Sequence, residues 1–450
     1  MLRYTLSACA FAAALHAQPL RAASNQDLDN IRTEIRNMRD AYESRITALE
    51  KRLAETESKA QSVETRATEA QILSPPTVAS ASGFNPAMSL ILSGTYANLQ
   101  RDPDTYQITG FIPSGGEVGP PKRSFSLAES ELVMSANIDP YWRGDFTLAL
   151  DPDNAVAVEE AAIQSLALPK GLTLKAGRFF SGIGYTNEQH AHAWDFVDAP
   201  LAQKAFLGKQ YSHDGVQLKW LAPTETFLEL GVEVGRGHRF PGSERNQNGL
   251  GSYAAFAHAG GDVGASHSWR GGLSFLHNRP QAREFKEGEI TNSFSGRSGL
   301  WLADFVWKWA PEGNARQTNF KFQTEYYRRS ERGELTYNTS APVTDIYRSQ
   351  QSGGYAQAVY QFQPRWRVGA RYDRLEHGSL NLGSAINPAN LPVLAAHNPA
   401  RSTLMLDYSS SEFSRWRLQI ARDVSRLGQT DNQLMLQYVM SLGAHGAHKF

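Results

Sequence analysis

The chain has almost no cysteine and no long apolar run. Cys9 is the single cysteine in 450 residues, so we expect neither disulfide bonds nor cysteine-ligated metal centres. No stretch of roughly 18 apolar residues occurs, and the sequence therefore predicts no membrane-spanning helix. The 45 Lys and Arg residues balance the 45 Asp and Glu residues, so bulk charge gives no reason to expect a nucleic-acid partner.

Motifs of common hydrolases are missing as well. The sequence contains no Gly-x-Ser-x-Gly nucleophile motif and no His-Glu-x-x-His metal motif. Glycine-rich pieces such as residues 235–237 lack the strand-to-helix context of a phosphate-binding loop. We therefore expect a protein that is not an enzyme and that needs no cofactor.

The first 23 residues have the layout of a secretory signal peptide. Arg3 supplies the positive charge, residues 6–15 form a short apolar core, and cleavage after Ala17 or Ala23 fits the small residues there. Because Cys9 lies inside this segment, the mature chain would have no thiol.

Residues 24–72 have the pattern of a coiled-coil helix. Neither glycine nor proline occurs between residues 25 and 71. Apolar residues recur there at intervals of three and four: Leu28, Ile31, Ile35, Met38, Tyr42, Ile46, Leu49 and Leu53. Such a narrow apolar seam predicts a coiled coil, with a lone amphipathic helix as the alternative. Small residues and paired prolines in 73–84 predict a linker.

From residue 85 to 450, two-faced strands alternate with long and very short connections. In residues 413–422, three apolar residues share one face, while Arg415 and Arg417 share the other. We count about sixteen such strands by this alternation and the turn residues between them. The long connections are 100–123, 180–212, 236–251, 278–298, 331–352 and 377–400.

Alternating long and short connections lie at opposite ends of an up-and-down sheet. Together with a mean hydropathy of −0.44 and 10% aromatic residues, they predict an all-β fold, a sixteen-stranded antiparallel transmembrane barrel over 85–450. A soluble β-protein such as a propeller would leave the outward rows of aromatic residues unexplained. The predicted location is the outer membrane of a Gram-negative cell, with the helical arm in the periplasm and outer-membrane lipid around the barrel.

Several short segments resemble a known family. They read Trp-Arg-Gly-Asp-Phe-Thr-Leu at 142–148, Val-Glu-Glu-Ala at 158–161 and Leu-Thr-Leu-Lys-Ala-Gly-Arg-Phe at 172–179, followed by Asn-Glu-Gln at 187–189 and Trp-Asp-Phe-Val-Asp at 194–198. In these segments the chain resembles the early strands of the phosphate-selective porin O/P-like family. The resemblance implies a sixteen-stranded, homotrimeric diffusion channel. It implies no phosphate selectivity, because no ladder of basic residues matches position by position.

Loop 180–212 follows the fifth predicted strand. In general trimeric porins the loop at this place folds into the barrel, and by that analogy Glu188, Asp195 and Asp198 would reach the constriction. The basic residues expected on the facing wall are Arg365, Arg367, Arg371, Arg415 and Arg417. Opposed charge rows would set up a transverse field across a narrow aqueous pore, whereas ordinary solvated charges are the alternative. The expected function is passive diffusion of small hydrophilic solutes or ions.

Two further functions remain open from the sequence. His190 and His192 share a face if the chain is extended there, and imidazole is a good ligand for zinc and copper. This spacing predicts, as one alternative, an uptake channel for zinc or another metal ion. The other alternative is a structural tether, in which the coiled coil contacts the cell wall or a periplasmic partner.

Overall fold

The computed structural model describes residues 86–114 and 118–443, which form a closed up-and-down β-barrel. Its strands are β1 (Ala87–Leu99), β2 (Ser124–Leu127), β3 (Ser130–Asn137), β4 (Trp142–Leu150), β5 (Val156–Ser165), β6 (Leu172–Phe180), β7 (Ser212–Leu221), β8 (Phe227–Gly235), β9 (Ser252–Val263), β10 (His267–Asn278), β11 (Arg283–Glu287), β12 (Ile290–Trp309), β13 (Asn319–Tyr337), β14 (Val343–Gln363), β15 (Trp366–Asn381), β16 (Ala400–Ser411), β17 (Ser414–Asp423) and β18 (Asp431–Gly443).

Neighbouring strands of the wall pair antiparallel, with β10 pairing directly with β12, and β1 closes the ring by pairing with β18 from Ser89–Gly443 to Leu99–Gln433. β2 and β3 are two pieces of one barrel strand, since both pair with β1. β11 pairs only with β12, beyond the barrel wall. Sixteen strands therefore form the wall, and the predicted barrel is confirmed.

The predicted signal peptide (1–23), coiled coil (24–72) and linker (73–84) lie outside the described residues and stay predictions. In the part of the chain that the structure describes, no helix has the length and apolarity needed to cross a membrane.

The two faces of each strand differ as the alternation predicts. On β17, Trp416, Leu418 and Ile420 are exposed on the outside, whereas Arg417 and Gln419 are buried inside. Outward aromatic rings pair across strands near the short turns: Trp366–Tyr408 (4.7 Å between ring centroids), Trp416–Tyr438 (4.4 Å) and Trp307–Phe320 (5.6 Å). Further pairs lie toward the long loops: Phe275–Trp301 (4.8 Å) and Tyr253–Phe275 (6.2 Å). Rows of aromatic residues bounding an apolar band are typical of a barrel that faces lipid.

Two of the predicted long loops are wrong. Much of 278–298 and 331–352 is strand, because β12, β13 and β14 run for 19 to 21 residues and leave only residues 338–342 as the turn between β13 and β14. These extensions rise beyond the apolar band. Their inner faces pack in an apolar cluster with the connection between β15 and β16: Ile112, Phe285, Phe294, Leu335, Tyr347, Leu382, Ile386, Leu391, Val393 and Leu394.

The long-loop half of the barrel is filled by packed side chains. The loop between β1 and β2 and the loop between β6 and β7 enter the interior and contact the inner faces of β9, β10, β12, β13 and β15. The main members of this cluster are Ile108, Phe111, Ile183, Leu201, Phe206, Tyr211, Phe256, Leu300, Leu302, Tyr327 and Leu375. In this half of the barrel a hydrophobic core therefore occupies much of the interior and narrows the lumen.

Candidate functional site

The chain between β6 and β7 lies inside the barrel, and we call residues 181–211 the inner loop. Its base is tied together by Asn187, whose side-chain amide donates to Ser181 O (2.8 Å) and Tyr211 O (2.9 Å). Glu233 on β8 accepts hydrogen bonds from the Ser181 hydroxyl and from Gly182 N (2.8 Å). The loop thus enters the lumen in a fixed direction, because both of its ends are held by buried groups.

The first turn of the inner loop crosses to the opposite wall. Glu325 on β13 accepts from the backbone N–H groups of Tyr185 (2.7 Å) and Thr186 (2.9 Å) and from the Tyr327 hydroxyl (2.6 Å). These three contacts fix the first turn of the loop against β13.

A short helix, α1 (Leu201–Leu207), forms the last part of the inner loop. All its residues are buried, and the backbone N–H of Leu201 donates to Asp373 Oδ1 on β15 (2.9 Å). Gly208 ends the helix in the left-handed conformation (φ 67°), as expected of a residue without a side chain at a helix C-terminus. Phe206 stacks on Tyr327 with ring centroids 5.7 Å apart. Arg329 on β13 also donates to Ala205 O (3.3 Å), so apolar packing and two backbone contacts fix α1 against the barrel wall.

Asp198 holds the loop to β15 and β16 through Arg371 and Arg401, and it also pairs with Lys204 of α1. Its carboxylate lies 3.1 Å from Arg371 Nη2 and 3.2 Å from Lys204 Nζ, and it is paired with Arg401. Burial by itself would raise the pKa of Asp198, but Arg401, Lys204 and Arg371 lower this pKa well below its ordinary value. Asp198 therefore remains a carboxylate.

Asp195 makes a second attachment beside the first. It pairs with Arg367 (3.1 Å) and with Lys321 on β13. Two arginines of β17 bind backbone oxygens of the loop: Arg415 donates to His192 O (2.7 Å) and Arg417 donates to Trp194 O (2.9 Å). We call β13, β15, β16 and β17 the late wall; its charged residues clamp the inner loop.

The structure brings most of the predicted site together, in a different arrangement from the one expected. Asp195 and Asp198 meet Arg367 and Arg371 in direct ion pairs, whereas two rows separated by water were predicted. Each of the two aspartates contacts basic side chains directly, so two charge rows facing each other across water are not formed by these residues, and their role in selectivity stays a prediction.

Two predicted site residues stand apart from this clamp. Glu188 is half-buried, and its charge acts on Glu229 and Asp304 on the other side of the loop. Arg365 is exposed in the turn between β14 and β15, where it helps to line a cavity of about 340 Å³ with His192 and Arg415. The sequence placed Arg365 on the lumen wall, but its φ of 72° belongs to a tight turn.

The two predicted metal ligands, His190 and His192, lie against the other side of the barrel. They contact side chains of β3 and β5, and we call these two strands the early wall. His190 Nδ1 is 3.1 Å from Glu131 Oε2 and 3.2 Å from Glu159 Oε2, and His190 Nε2 is 3.1 Å from Glu160 Oε2. Burial would lower the pKa of His190, but its contacts with Glu131, Glu159 and Glu160 raise it well above the ordinary value. His192 Nδ1 lies 2.9 Å from Glu131 Oε1.

A β-bulge explains why two consecutive glutamates reach the same histidine. On β5, Glu160 pairs with Thr147 and Val158 pairs with Leu148, so Glu159 has no partner on β4. A bulge of this kind turns side chains that would otherwise alternate toward a common side. Beneath it, Gly177 on β6 has a φ of +125°, and a Cβ there would lie 2.2 Å from Ala161 O. Only glycine fits so close an approach of β5 and β6.

Sequence reasoning missed several residues of the site. Arg401, Lys321 and Glu325 were readable from alternation alone, because each lies on the face opposite the outward apolar residues of its strand. The joint orientation of Glu159 and Glu160 had no such signal, because the alternation of a regular strand places neighbours on opposite faces.

No family model matches the chain. Among solved structures with similar folds are OmpT of Vibrio cholerae in its trimer form (10% identity, 80% of this chain and 99% of that chain, TM-score 0.49) and the outer membrane channel DcaP of Acinetobacter baumannii (12%, 80% and 97%, 0.49). An anion-selective porin from Comamonas acidovorans is another (7%, 80% and 99%, 0.48). These identities are too low to carry function across, and they do not confirm the phosphate-selective porin O/P-like family.

By sequence, the chain is 31% identical over 402 residues to an uncharacterised protein of Aquifex aeolicus strain VF5, with 82% of this chain and 81% of that protein covered. This protein belongs to the same family as that Aquifex aeolicus protein.

Proposed function

We propose that this protein is an outer-membrane porin that lets small hydrophilic solutes or ions diffuse through a lumen narrowed by the inner loop. The observation that carries the proposal is the closed sixteen-stranded wall with apolar side chains outside, ionised side chains inside and a charged loop across its interior. In lipid only a closed barrel satisfies every backbone hydrogen bond of such a wall, and its polar interior is where a hydrated solute can pass.

The passage in this proposal runs beside the early wall. The late-wall side chains of Arg371, Arg401 and Arg417 are at most 1% exposed, because they are buried in ion pairs and hydrogen bonds at the inner loop. On the early wall, His190, Glu159 and Glu160 are 15–20% exposed, and on the late wall Arg367 (23%) and Lys321 (20%) are similarly exposed but both contact Asp195 of the loop. We propose the early-wall side of the loop as the path, because a solute crossing there meets a lining in which carboxylates outnumber basic groups.

An acidic lining favours cations over anions. The carboxylates of this region are Glu129, Glu131, Glu159 and Glu160, against Lys209 and the two histidines. We therefore propose weak cation preference. This differs from the behaviour implied by the name of the family that the sequence resembles.

Conductance in planar lipid bilayers tests the pore. The purified protein should give stepwise currents, and replacing residues 188–193 by a short Gly-Ser link should increase each step because the obstruction beside the early wall is removed. Shortening the exposed connection at 245–249 is the matched control and should leave the step unchanged. Folded protein without stepwise currents, or equal steps in the two variants, would contradict the proposal.

Reversal potentials in a KCl gradient test the charge preference. Wild type should favour K⁺, and Glu159→Gln/Glu160→Gln should move the potential toward Cl⁻. A potential that favours Cl⁻ in wild type would remove the early wall as the passage.

Two parts of the proposal concern assembly. The homotrimer follows from the family resemblance and is tested by the mass of the protein in detergent. The tether function rests on the coiled-coil pattern of residues 24–72; sedimentation with purified peptidoglycan should be lost when this segment is deleted, while conductance remains.

A further inference from the structure

A second function lies in the cluster where the inner loop meets the early wall. Three potential ligand atoms converge there from three different segments: Glu131 Oε2 on β3, Glu159 Oε2 on β5 and His190 Nδ1 on the loop. All three lie within 4.8 Å of one another, and Nδ1 is 3.1 Å and 3.2 Å from the two carboxylate oxygens. Tetrahedral zinc ligands, each about 2.0–2.1 Å from the ion, are roughly 3.4 Å apart. The two sides of the triangle that meet at Nδ1 are thus close to the length that a bound ion requires.

Hydrogen bonding leaves one of these atoms unsatisfied. Glu131 is fully buried, and its Oε2 accepts no hydrogen bond from the described residues. His190 Nδ1 can carry one proton only, so it cannot serve both Glu131 and Glu159. A buried carboxylate oxygen without a partner costs free energy, and a metal ion between the three atoms would remove that cost.

The surroundings of His190 match those of a metal-binding histidine. Such a histidine almost always donates its second ring N–H to a carboxylate, a backbone carbonyl or water, which fixes the ring orientation. Here His190 Nε2 lies 3.1 Å from Glu160 Oε2, on the side away from the triangle. His192 Nδ1 lies 2.9 Å from the other oxygen of Glu131 and so orients that ligand. The β5 bulge makes this possible, because it gives one glutamate to each nitrogen of the same ring.

From this geometry we infer that Glu131, Glu159 and His190 form a binding site for a divalent transition-metal ion such as Zn²⁺. One imidazole nitrogen and two carboxylate oxygens are a typical ligand set for Zn²⁺, with water in the fourth position. Ca²⁺ and Mg²⁺ are less suited, since they take oxygen ligands at six or more positions. Partial exposure of Glu159 and His190 gives an ion access from the lumen. A bound ion would join the inner loop to both strands of the early wall.

This site is independent of whether the barrel conducts, so binding is measured on the purified protein in detergent. The variant background is His445→Ala/His448→Ala, which removes the two histidines near the C-terminus as competing ligands. After chelator treatment, calorimetric titration with Zn²⁺ should show one ion per chain, and Ca²⁺ at the same concentration should not bind.

The loss of Zn²⁺ affinity on substitution should differ between the proposed ligands and their hydrogen-bond partner. Glu160→Gln should weaken Zn²⁺ binding by about 10–100-fold, as expected for the partner of a ligand. Glu131→Gln and Glu159→Gln should each weaken it by more than Glu160→Gln does. Glu229→Gln is the matched control, because it removes the carboxylate from a different His–Glu contact, with His258 at 3.3 Å, and should bind as the background protein does.

The outcomes separate cleanly. No saturable Zn²⁺ binding in the background protein, or equal binding in Glu131→Gln, Glu159→Gln and Glu229→Gln, overturns the site. Binding of Ca²⁺ as tight as that of Zn²⁺ overturns its chemical class. Heat-dependent mobility in SDS gels checks that each variant folds. If a variant to Gln does not fold, Glu159→Asp replaces it. This variant keeps the charge but withdraws the ligand atom, and it should also bind Zn²⁺ more weakly.

Discussion

Replacing Asp198 with Asn should release the inner loop from the late wall. Asp198 faces Arg371, Arg401 and Lys204, whose side chains are at most 4% exposed. Removing one partner of a buried ion pair costs about 3–5 kcal/mol, because the remaining charges stay buried without it. We expect the low end, about 3 kcal/mol, since Asp373 still lies 3.0 Å from Arg371. A change of that size lowers the ratio of docked to undocked loop on the order of 100-fold.

Two measurements report the release. Single-channel currents in planar bilayers should become larger or noisier in Asp198→Asn, because the loop no longer holds one position. Trypsin should cut after Lys204, which is buried in the wild-type protein and becomes accessible only when α1 leaves the wall. Asp153→Asn is the control: it breaks an exposed ion pair with Lys122, far from the lumen, and should change neither current nor cleavage.

The reasoning would be refuted by a folded Asp198→Asn variant with wild-type currents and an uncut loop. Arg371→Gln should have a smaller effect than Asp198→Asn, because Asp198 keeps Arg401 and Lys204. Since the two substitutions remove the same contact, the double variant should fall short of the sum of the single effects. Full additivity would mean that the two residues act separately.

Three further predictions test the wall and the mouth. Leu404→Arg, an exposed outward position within β16, should destabilise the barrel in lipid vesicles by about 2–4 kcal/mol in urea unfolding, and an unchanged unfolding curve would mean that this face does not meet lipid. Gly177→Ala should lower the folded yield seen in SDS gels, because its Cβ would meet Ala161 O, and a normal yield would show that β5 and β6 can move apart. Arg365→Gln should leave the step conductance unchanged while Arg371→Gln raises it, and equal effects in bilayers would place both arginines in one role.

Alternation was sufficient to predict the wall, and its failures have a physical cause. Strand β17 has three apolar residues outside and arginines inside, because its outer face lies in apolar surroundings and its inner face lines a polar interior. Residues 331–334 read Glu-Arg-Gly-Glu and were predicted as loop, yet they are strand. Their outward positions lie beyond the apolar band, so no apolar period marks them, and only pairing with β12 and β14 keeps the chain extended.

The sequence predicted several residues of the candidate site, but not how far the inner loop enters the barrel. Asp195, Asp198, Arg367 and Arg371 were named from the sequence, and they do meet. The sequence does not show how deep the loop lies in the barrel. That depth depends on the packing of α1 against Tyr327 and on the hydrogen bond from the loop backbone to Glu325. These are contacts between segments far apart in sequence, and periodicity carries no information about them.

The two sides of the inner loop differ in a way that links passage to metal binding. On the late wall, ion pairs are buried, and buried pairs gain little stability but fix one position, since each charge is satisfied only where its partner lies. On the early wall, carboxylates outnumber basic groups, and Glu159 and Glu160 remain partly accessible, so the same region that would favour a passing cation also offers ligands to a resident one. A bound Zn²⁺ would neutralise two charges of that lining and tie His190 to Glu131 and Glu159. We therefore expect the metal-loaded barrel to conduct less, and with weaker cation preference, than the chelator-treated barrel.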